Sequence, residues 1–172
     1  NQKKRYMLSA QLSYDITDWL NISGRVRVDN THTKYEQKLY ASSNLTITEE
    51  STQGHYTISK PDETQTYADV LANINKRFND FSLVANVGAS IVNNRYEDLS
   101  YRGPIREKGI PNVFNVFDLD NTKKKARQDE WQEQTQSVFA SVEVGWKSML
   151  YLTLTGRNDW ASQLANSSTP CF

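Results

Sequence analysis

Apolar and polar side chains alternate along six segments of the chain, which is the pattern of a β-strand with one apolar and one polar face. In the last segment, Leu150, Leu152 and Leu154 share one face, whereas Thr153 and Arg157 share the other. The segments are residues 6–14, 20–28, 68–75, 81–91, 138–146 and 150–157. This pattern predicts an all-β fold of six strands.

The connections between these segments alternate between short and long. Residues 15–18, 78–80 and 147–148 form short connections, whereas residues 30–63 and 96–133 form long polar ones. Compact soluble domains rarely contain loops longer than about 15 residues. Outer-membrane barrels combine short turns at one rim with long extracellular loops at the other. The rhythm therefore predicts an antiparallel up-and-down transmembrane β-barrel, whose long extracellular loops span about 30–63 and 96–133.

Hydropathy alone would indicate a soluble protein, but it does not exclude membrane-spanning strands. Mean hydropathy is −0.71, and no apolar run approaches the roughly 20 residues of a transmembrane helix. A transmembrane strand needs only about 10 residues and is apolar on one face. The 20 basic and 20 acidic residues balance, so no nucleic-acid partner is predicted. Aromatic residues stand where the two membrane interfaces would be, namely Tyr14, Trp19, Phe78, Phe81, Trp146, Tyr96 and Trp160.

Six strands cannot close a membrane barrel, because the smallest such barrels have about eight and an open edge leaves backbone groups unpaired in hydrocarbon. Each strand takes about 29 of the 172 residues, so a 22-strand barrel would need roughly 640. Residues 1–172 are therefore expected to form part of one larger barrel domain. Both ends of the chain suggest an excised piece. The single cysteine, Cys171, excludes an internal disulfide. Phe172 ends the chain, but we interpret this as a result of truncation and not as the C-terminal aromatic assembly signal of a barrel.

Two regions resemble a known family. The turn at 146–148 is followed by an alternating strand and then by Gly156, Arg157, Asp159 and Trp160, with Ser162 after them. Residues 109–114, with the sequence GIPNVF, lie in the preceding long connection. These elements resemble the SusC/RagA family of TonB-linked outer-membrane proteins. The specific part of the resemblance covers residues 109–162.

The resemblance implies a transporter in the bacterial outer membrane that imports a large nutrient, an oligosaccharide or a peptide. It implies a SusD-like surface lipoprotein as partner, together with the rest of the barrel and the surrounding lipid. It also implies energy from TonB through a plug domain, and residues 1–172 contain neither a plug nor a TonB box. A plugless porin or adhesin barrel is an alternative function. A soluble glycan-binding β-sandwich is a further alternative.

The polar faces of the strands would line the lumen of a barrel. The resulting candidates are Arg25, Arg27, Asp69, Asn73, Asn86, Glu143 and Arg157. They could contact substrate, although we favour the alternative that they anchor a plug by ion pairs and hydrogen bonds. Aromatic residues of the long connections could stack on sugar rings or pack the loops together, and these are Tyr35, Tyr40, Tyr56, Tyr101 and Trp131.

Other chemical motifs are weak. Asp118, Asp120 and Thr122 resemble the Asp-x-Asp-x-Thr motif of haloacid-dehalogenase-like phosphatases, which requires a parallel sheet and Mg²⁺. The chain shows no alternating strand-helix pattern. A calcium loop at the same place lacks its glycine and its terminal glutamate. His32 and His55 have no second ligand at metal spacing. We therefore predict no catalytic, cofactor-binding or metal-binding residue, and a protein that is not an enzyme.

Overall fold

The computed structural model describes residues 1–164, and Cys171 and Phe172 lie outside the described residues. Within them the chain forms seven β-strands and two short 3-10 turns. The strands are β1 (Gln2–Thr17), β2 (Leu20–Leu39), β3 (His55–Ser59), β4 (Asp62–Phe78), β5 (Phe81–Pro104), β6 (Lys125–Trp146) and β7 (Leu150–Ala161). The 3-10 turns are Val116–Asp118 and Ser162–Leu164. Among residues 1–164 there is no helix long and apolar enough to cross a membrane.

All seven strands belong to one antiparallel sheet with the order β1-β2-β3-β5-β6-β7, and β4 also pairs with β2 and β5. Strands β3 and β4 share one place in the sheet and are separated only by Lys60 and Pro61. Proline cannot donate to a strand ladder. The Thr33 amide still donates to the Pro61 carbonyl at 3.0 Å, and the Lys60 amide donates to the Leu99 carbonyl at 3.3 Å. The all-β antiparallel prediction is confirmed, and β3 is an additional strand.

The strands are longer than the alternation predicts. The predicted loop bounds of 30–63 and 96–133 are wrong, because β2 continues to Leu39 and β5 to Pro104. The observed loops are residues 40–54, here called the first loop, and residues 105–124, the second loop. The strand extensions are polar on both faces, so they carry no alternating signal. Cross-strand polar pairs accompany them instead, as between Asn30 and Thr64 at 2.7 Å.

The short connections are confirmed as tight turns, but the predicted bounds of the first, 15–18, are wrong because β1 continues to Thr17 and the turn occupies residues 18–19. In the turn between β6 and β7, Lys147 and Ser148 have φ of 51° and 56°. A type I′ hairpin turn needs positive φ at both central residues, because its twist then matches the twist of the strands. The turn between β4 and β5 contains Asn79 with φ of 49°, a conformation that asparagine tolerates well.

The chain divides into two compact units. The loop unit contains residues 1–6, 30–64 and 95–131, and the turn unit contains residues 7–29, 65–94 and, within the described part, 132–164. The loop unit has a small buried core formed by Thr48, Tyr56, Pro104, Ile105 and Leu119. The turn unit instead leaves most of its large apolar side chains exposed.

Candidate functional site

The apolar face of the turn unit is exposed rather than buried. On strands inside the sheet, Val26, Val70 and Val87 are 51%, 58% and 46% exposed. The face includes a shallow hollow of about 570 Å³, which is lined in part by small residues on four strands. These small residues are Ala10, Gly24, Ala68 and Ala89. A continuous apolar surface of this kind marks contact with a membrane or a partner.

On the polar face, two of the predicted lumen residues meet. The Arg25 guanidinium donates to the Asp69 carboxylate at 2.8 Å, and its Cζ lies 5.3 Å from the centroid of the Tyr67 ring. The Asp69 side chain is only 11% exposed. Arg27 pairs along its own strand with Asp29 at 3.1 Å. The polar face therefore pairs these two arginines with carboxylates.

Asn73 belongs to a second polar group, which connects three strands. The Asn73 amide donates to the Asn21 side-chain oxygen at 3.3 Å. The Asn21 amide in turn donates to the Ser13 hydroxyl at 2.9 Å and to the Asp15 carboxylate at 2.6 Å. Asn86 lies half-buried on β5.

Arg157 and Asp159 of the family-like motif form a third group. Arg157 Nε donates to Asp159 Oδ1 at 2.8 Å, and its Nη2 donates to the Ser137 hydroxyl at 3.2 Å. Glu143 accepts a hydrogen bond from the Thr153 hydroxyl at 3.2 Å. Those candidates that make these contacts therefore belong to several separate polar groups.

Gly156 and Trp160 of the same motif have the parity of the apolar side chains of β7. They pair with Ala140 and Gln136 of β6. Trp160 is 54% exposed, and it lines the apolar hollow. The motif therefore places one half on each face of the strand.

The loop unit contains a site that the sequence analysis missed, because its residues come from two loops without any periodic pattern. The Ser51 hydroxyl donates to the Ile105 carbonyl at 2.8 Å, and the Ile105 amide donates to the Gly54 carbonyl at 2.9 Å. Thr48, Ile105 and Leu119 are almost fully buried, at 0%, 2% and 1% exposure. The two loops therefore share one core.

Beside this core, Glu49 meets two basic side chains. Its Oε1 lies 3.1 Å from Arg102 Nη2 and 3.6 Å from His55 Nε2. His55 is 5% exposed. Burial lowers the pKa of His55, although Glu49 opposes this change. Burial would raise the pKa of Glu49, but the hydrogen bond from Arg102 and the nearby positive charges lower it.

The aromatic residues of the loop unit pack against each other. Phe114 contacts Tyr40, with ring centroids 5.2 Å apart and planes at 84°, and it contacts Tyr56 at 6.0 Å. The Tyr56 hydroxyl donates to Glu36 at 2.7 Å, and burial together with this bond raises the pKa of Tyr56 to about 12. Two of the predicted sugar-stacking residues, Tyr40 and Tyr56, therefore pack the loops together.

Tyr96 packs within the loop unit. Its ring stacks on Trp131, with centroids 5.6 Å apart and planes at 14°. Its location at a membrane interface stays a prediction.

The phosphatase-like motif is part of the second loop. Asp118 accepts a hydrogen bond from Arg106 at 2.7 Å, and its amide donates to the Asn115 side chain at 2.8 Å. Asp120 accepts from the Thr122 hydroxyl and amide at 2.6 and 2.8 Å, which lowers the pKa of Asp120. Both carboxylates therefore hold loop structure. In the described part of the chain, no group of three His, Cys, Asp or Glu residues could hold a metal ion.

Comparison with known proteins bears on the fold. No protein-family model matches the chain, and no curated protein matches it. Among solved structures, the RagAB peptide transporter superposes with a TM-score of 0.74 and 14% identity, over 95% of this chain and 19% of that one. BauA, the ferric preacinetobactin receptor from Acinetobacter baumannii, superposes with a TM-score of 0.57 and 18% identity, over 95% of this chain and 26% of that one. The siderophore receptor PiuA from the same organism superposes with a TM-score of 0.51 and 12% identity, over 92% of this chain and 29% of that one.

The chain has the fold of a TonB-dependent barrel segment. The resemblance to SusC/RagA proteins is thus confirmed at the level of the fold, since RagA is SusC-like. The structural neighbours are a peptide transporter and two receptors. The chain spans about a fifth of the RagAB chain that it matches.

Proposed function

We propose that the chain is part of a TonB-dependent transporter of the bacterial outer membrane, which imports a large nutrient together with a SusD-like surface lipoprotein. The observation that carries the proposal is the division of the turn unit into two faces. One face exposes leucines and valines, whereas the other pairs its charges and amides with each other. Each valine or isoleucine of the interior strands that is left in water forgoes about 1.5–3 kcal/mol of burial free energy, so lipid is the environment that suits this face.

A soluble sandwich would need a second sheet over the apolar face. The described residues form a single sheet, and this sheet superposes on the RagAB peptide transporter with a TM-score of 0.74. A barrel closed by further strands would satisfy the edge strands β1 and β7 and would place the apolar face in lipid. These considerations favour the membrane barrel over the soluble alternative.

The lengths of three strands support an extracellular location for the long loops. β2, β5 and β6 contain 20, 24 and 22 residues, whereas crossing the hydrocarbon needs about 10. In each of these strands, the half next to the long loops is polar on both faces. We propose that these halves project from the membrane on the extracellular side and carry the first and second loops.

We propose that the polar face lines the lumen, with Arg25, Arg27, Asp69, Asn73, Asn86, Glu143 and Arg157 among its residues. Arg25–Asp69 and Arg157–Asp159 are already paired within the sheet, which suits contact with a plug more than capture of a charged substrate. The similarity to the RagAB peptide transporter supports a peptide as the nutrient, and an oligosaccharide is the second candidate. The proposal contains no catalytic step, cofactor or nucleic acid.

Uptake by whole cells tests this function. Cells with the complete gene should import a labelled oligopeptide or oligosaccharide mixture, and cells without the gene should not. Removing TonB should abolish uptake in the first strain as completely as removing the gene. Uptake that persists without TonB would instead support a plugless porin, and full-length protein found in the soluble fraction would exclude both membrane functions.

A further inference from the structure

The GIPNVF segment, residues 109–114, contacts the first loop at the point where that loop leaves and rejoins the sheet. We propose that this segment, here called the clasp, closes the neck of the first loop. The neck consists of Tyr40 and Ala41 on one side and of residues 53–56 on the other. With the clasp in place, the first and second loops would move together as one rigid unit. The inference rests on contacts inside the loop unit and does not depend on the proposed function.

Asn112 bridges the two sides of the neck. Its side-chain oxygen accepts a hydrogen bond from the Ala41 amide at 2.8 Å. Its own backbone amide donates to the Gln53 carbonyl at 3.0 Å. Asn112 has φ of 64°, in the left-handed region that asparagine adopts more readily than most residues. One residue therefore satisfies backbone groups at both ends of the first loop.

Phe114 bridges the same neck with its ring. It contacts Tyr40 on one side and Tyr56 on the other, at centroid distances of 5.2 and 6.0 Å. The Lys38 ammonium lies 5.9 Å from the centroid of the same ring. Aromatic pairs at these distances add to the stabilisation from burial, so Phe114 reinforces the bridge that Asn112 makes.

The start of the clasp has its own local structure. The Gly109 amide donates to the Arg106 carbonyl at 2.8 Å. A Cβ at position 109 would lie 2.9 Å from that carbonyl oxygen and 3.0 Å from Ile105 Cγ2. Only glycine fits there without a shift, and Pro111 restricts the backbone two residues later. Its own sequence therefore restricts the backbone of the clasp.

The tip of the first loop also contacts the second loop. Glu49 and Glu50 are both left-handed, with φ of 55° and 68°, which costs conformational energy in residues other than glycine. Lys123 of the second loop donates to the Glu49 carbonyl at 3.3 Å. A cavity of about 500 Å³ has walls from both loops, including Ser51 and Lys108.

Hydrogen-deuterium exchange on the full-length protein in detergent tests the clasp through two variants of Asn112. Asn112→Gly removes the side-chain acceptor but suits the positive φ, so exchange in the first loop should rise about tenfold from the loss of the Ala41 hydrogen bond. Asn112→Asp keeps an acceptor oxygen and should exchange within a factor of two or three of the parent. The tight turns should not respond to either variant.

Phe114→Ala should raise exchange in the first loop in the same way, and Phe117→Ala is its matched control. Phe117 lies in the same loop but is 82% exposed, so its removal should leave the first loop unchanged. Unchanged exchange in both Asn112→Gly and Phe114→Ala would overturn the proposal. An equal increase in Phe117→Ala would also overturn it. If Phe114→Ala does not assemble, the comparison of Asn112→Gly with Asn112→Asp decides alone.

Discussion

A methyl group added at Gly88 tests the packing of the polar face directly. A Cβ at this position would lie 2.6 Å and 2.8 Å from Cζ and Cε2 of Phe139, and 2.9 Å from the Val70 backbone carbonyl oxygen. Carbon atoms in contact prefer about 3.5–4.0 Å. The ring can turn away, but the carbonyl belongs to the neighbouring strand and cannot move without moving the sheet. Gly88→Ala should therefore lower the free energy of unfolding by about 1–3 kcal/mol, the usual cost of overpacking.

The assay is denaturant unfolding of the full-length protein in detergent micelles, followed by tryptophan fluorescence. Gly24→Ala is the matched control, because its Cβ would meet only the Asp69 carbonyl oxygen at an ordinary 3.7 Å. That variant should be neutral or more stable by about 0.5–1 kcal/mol, since alanine loses less backbone entropy. Adding Phe139→Leu to Gly88→Ala should restore only part of the loss, because the Val70 contact stays. Equal effects of Gly88→Ala and Gly24→Ala would refute this account of strand packing.

Two further predictions concern the loop unit. Leu119→Ala should cost about 2–4 kcal/mol of local stability, measured as faster hydrogen exchange in both loops. Leu45→Ala should have little effect, because Leu45 is 51% exposed. Equal exchange in the two variants would contradict a core shared by the two loops. Acidification from pH 7 to 5 should loosen the loop unit, because burial lowers the pKa of His55. The unfolded histidine then binds a proton near its ordinary pKa of about 6.5 before the folded one does, so stability falls as the pH falls. His55→Gln should lose this dependence, and a variant that keeps it would show that another group titrates.

The sequence predicts the strands where one face is apolar and fails where both are polar. Residues 20–28 alternate clearly and form the start of β2, whereas the continuation through His32, Lys34 and Glu36 has no apolar side to reveal it. Strand β3 was missed for the same reason, and because Pro61 interrupts the segment. A pattern of period two cannot report strands that are solvated on both faces.

The candidate site divides in the same way. The parity of Arg25 and Asp69 places both on the polar face, but their pairing depends on the register between β2 and β4, which local sequence does not encode. The loop core depends on Thr48 and Leu119, which are 71 positions apart in the chain and meet only after the loops fold. The sequence identifies the GIPNVF segment only by its resemblance to SusC/RagA proteins. The contacts of this segment with the neck of the first loop are visible only in the structure.

The central claim is that one face of the strands contacts lipid and the other faces an aqueous interior. The most direct measurement is spin labelling of single cysteines at positions 150–155, in full-length protein with Cys171→Ser, reconstituted in lipid bilayers. Collision rates with oxygen, which partitions into lipid, should peak at Leu150, Leu152 and Leu154. They should fall at Tyr151, Thr153 and Thr155, where collision rates with a water-soluble nickel chelate should rise instead. Oxygen accessibility that does not alternate with period two, or that peaks at the polar positions, would contradict the account.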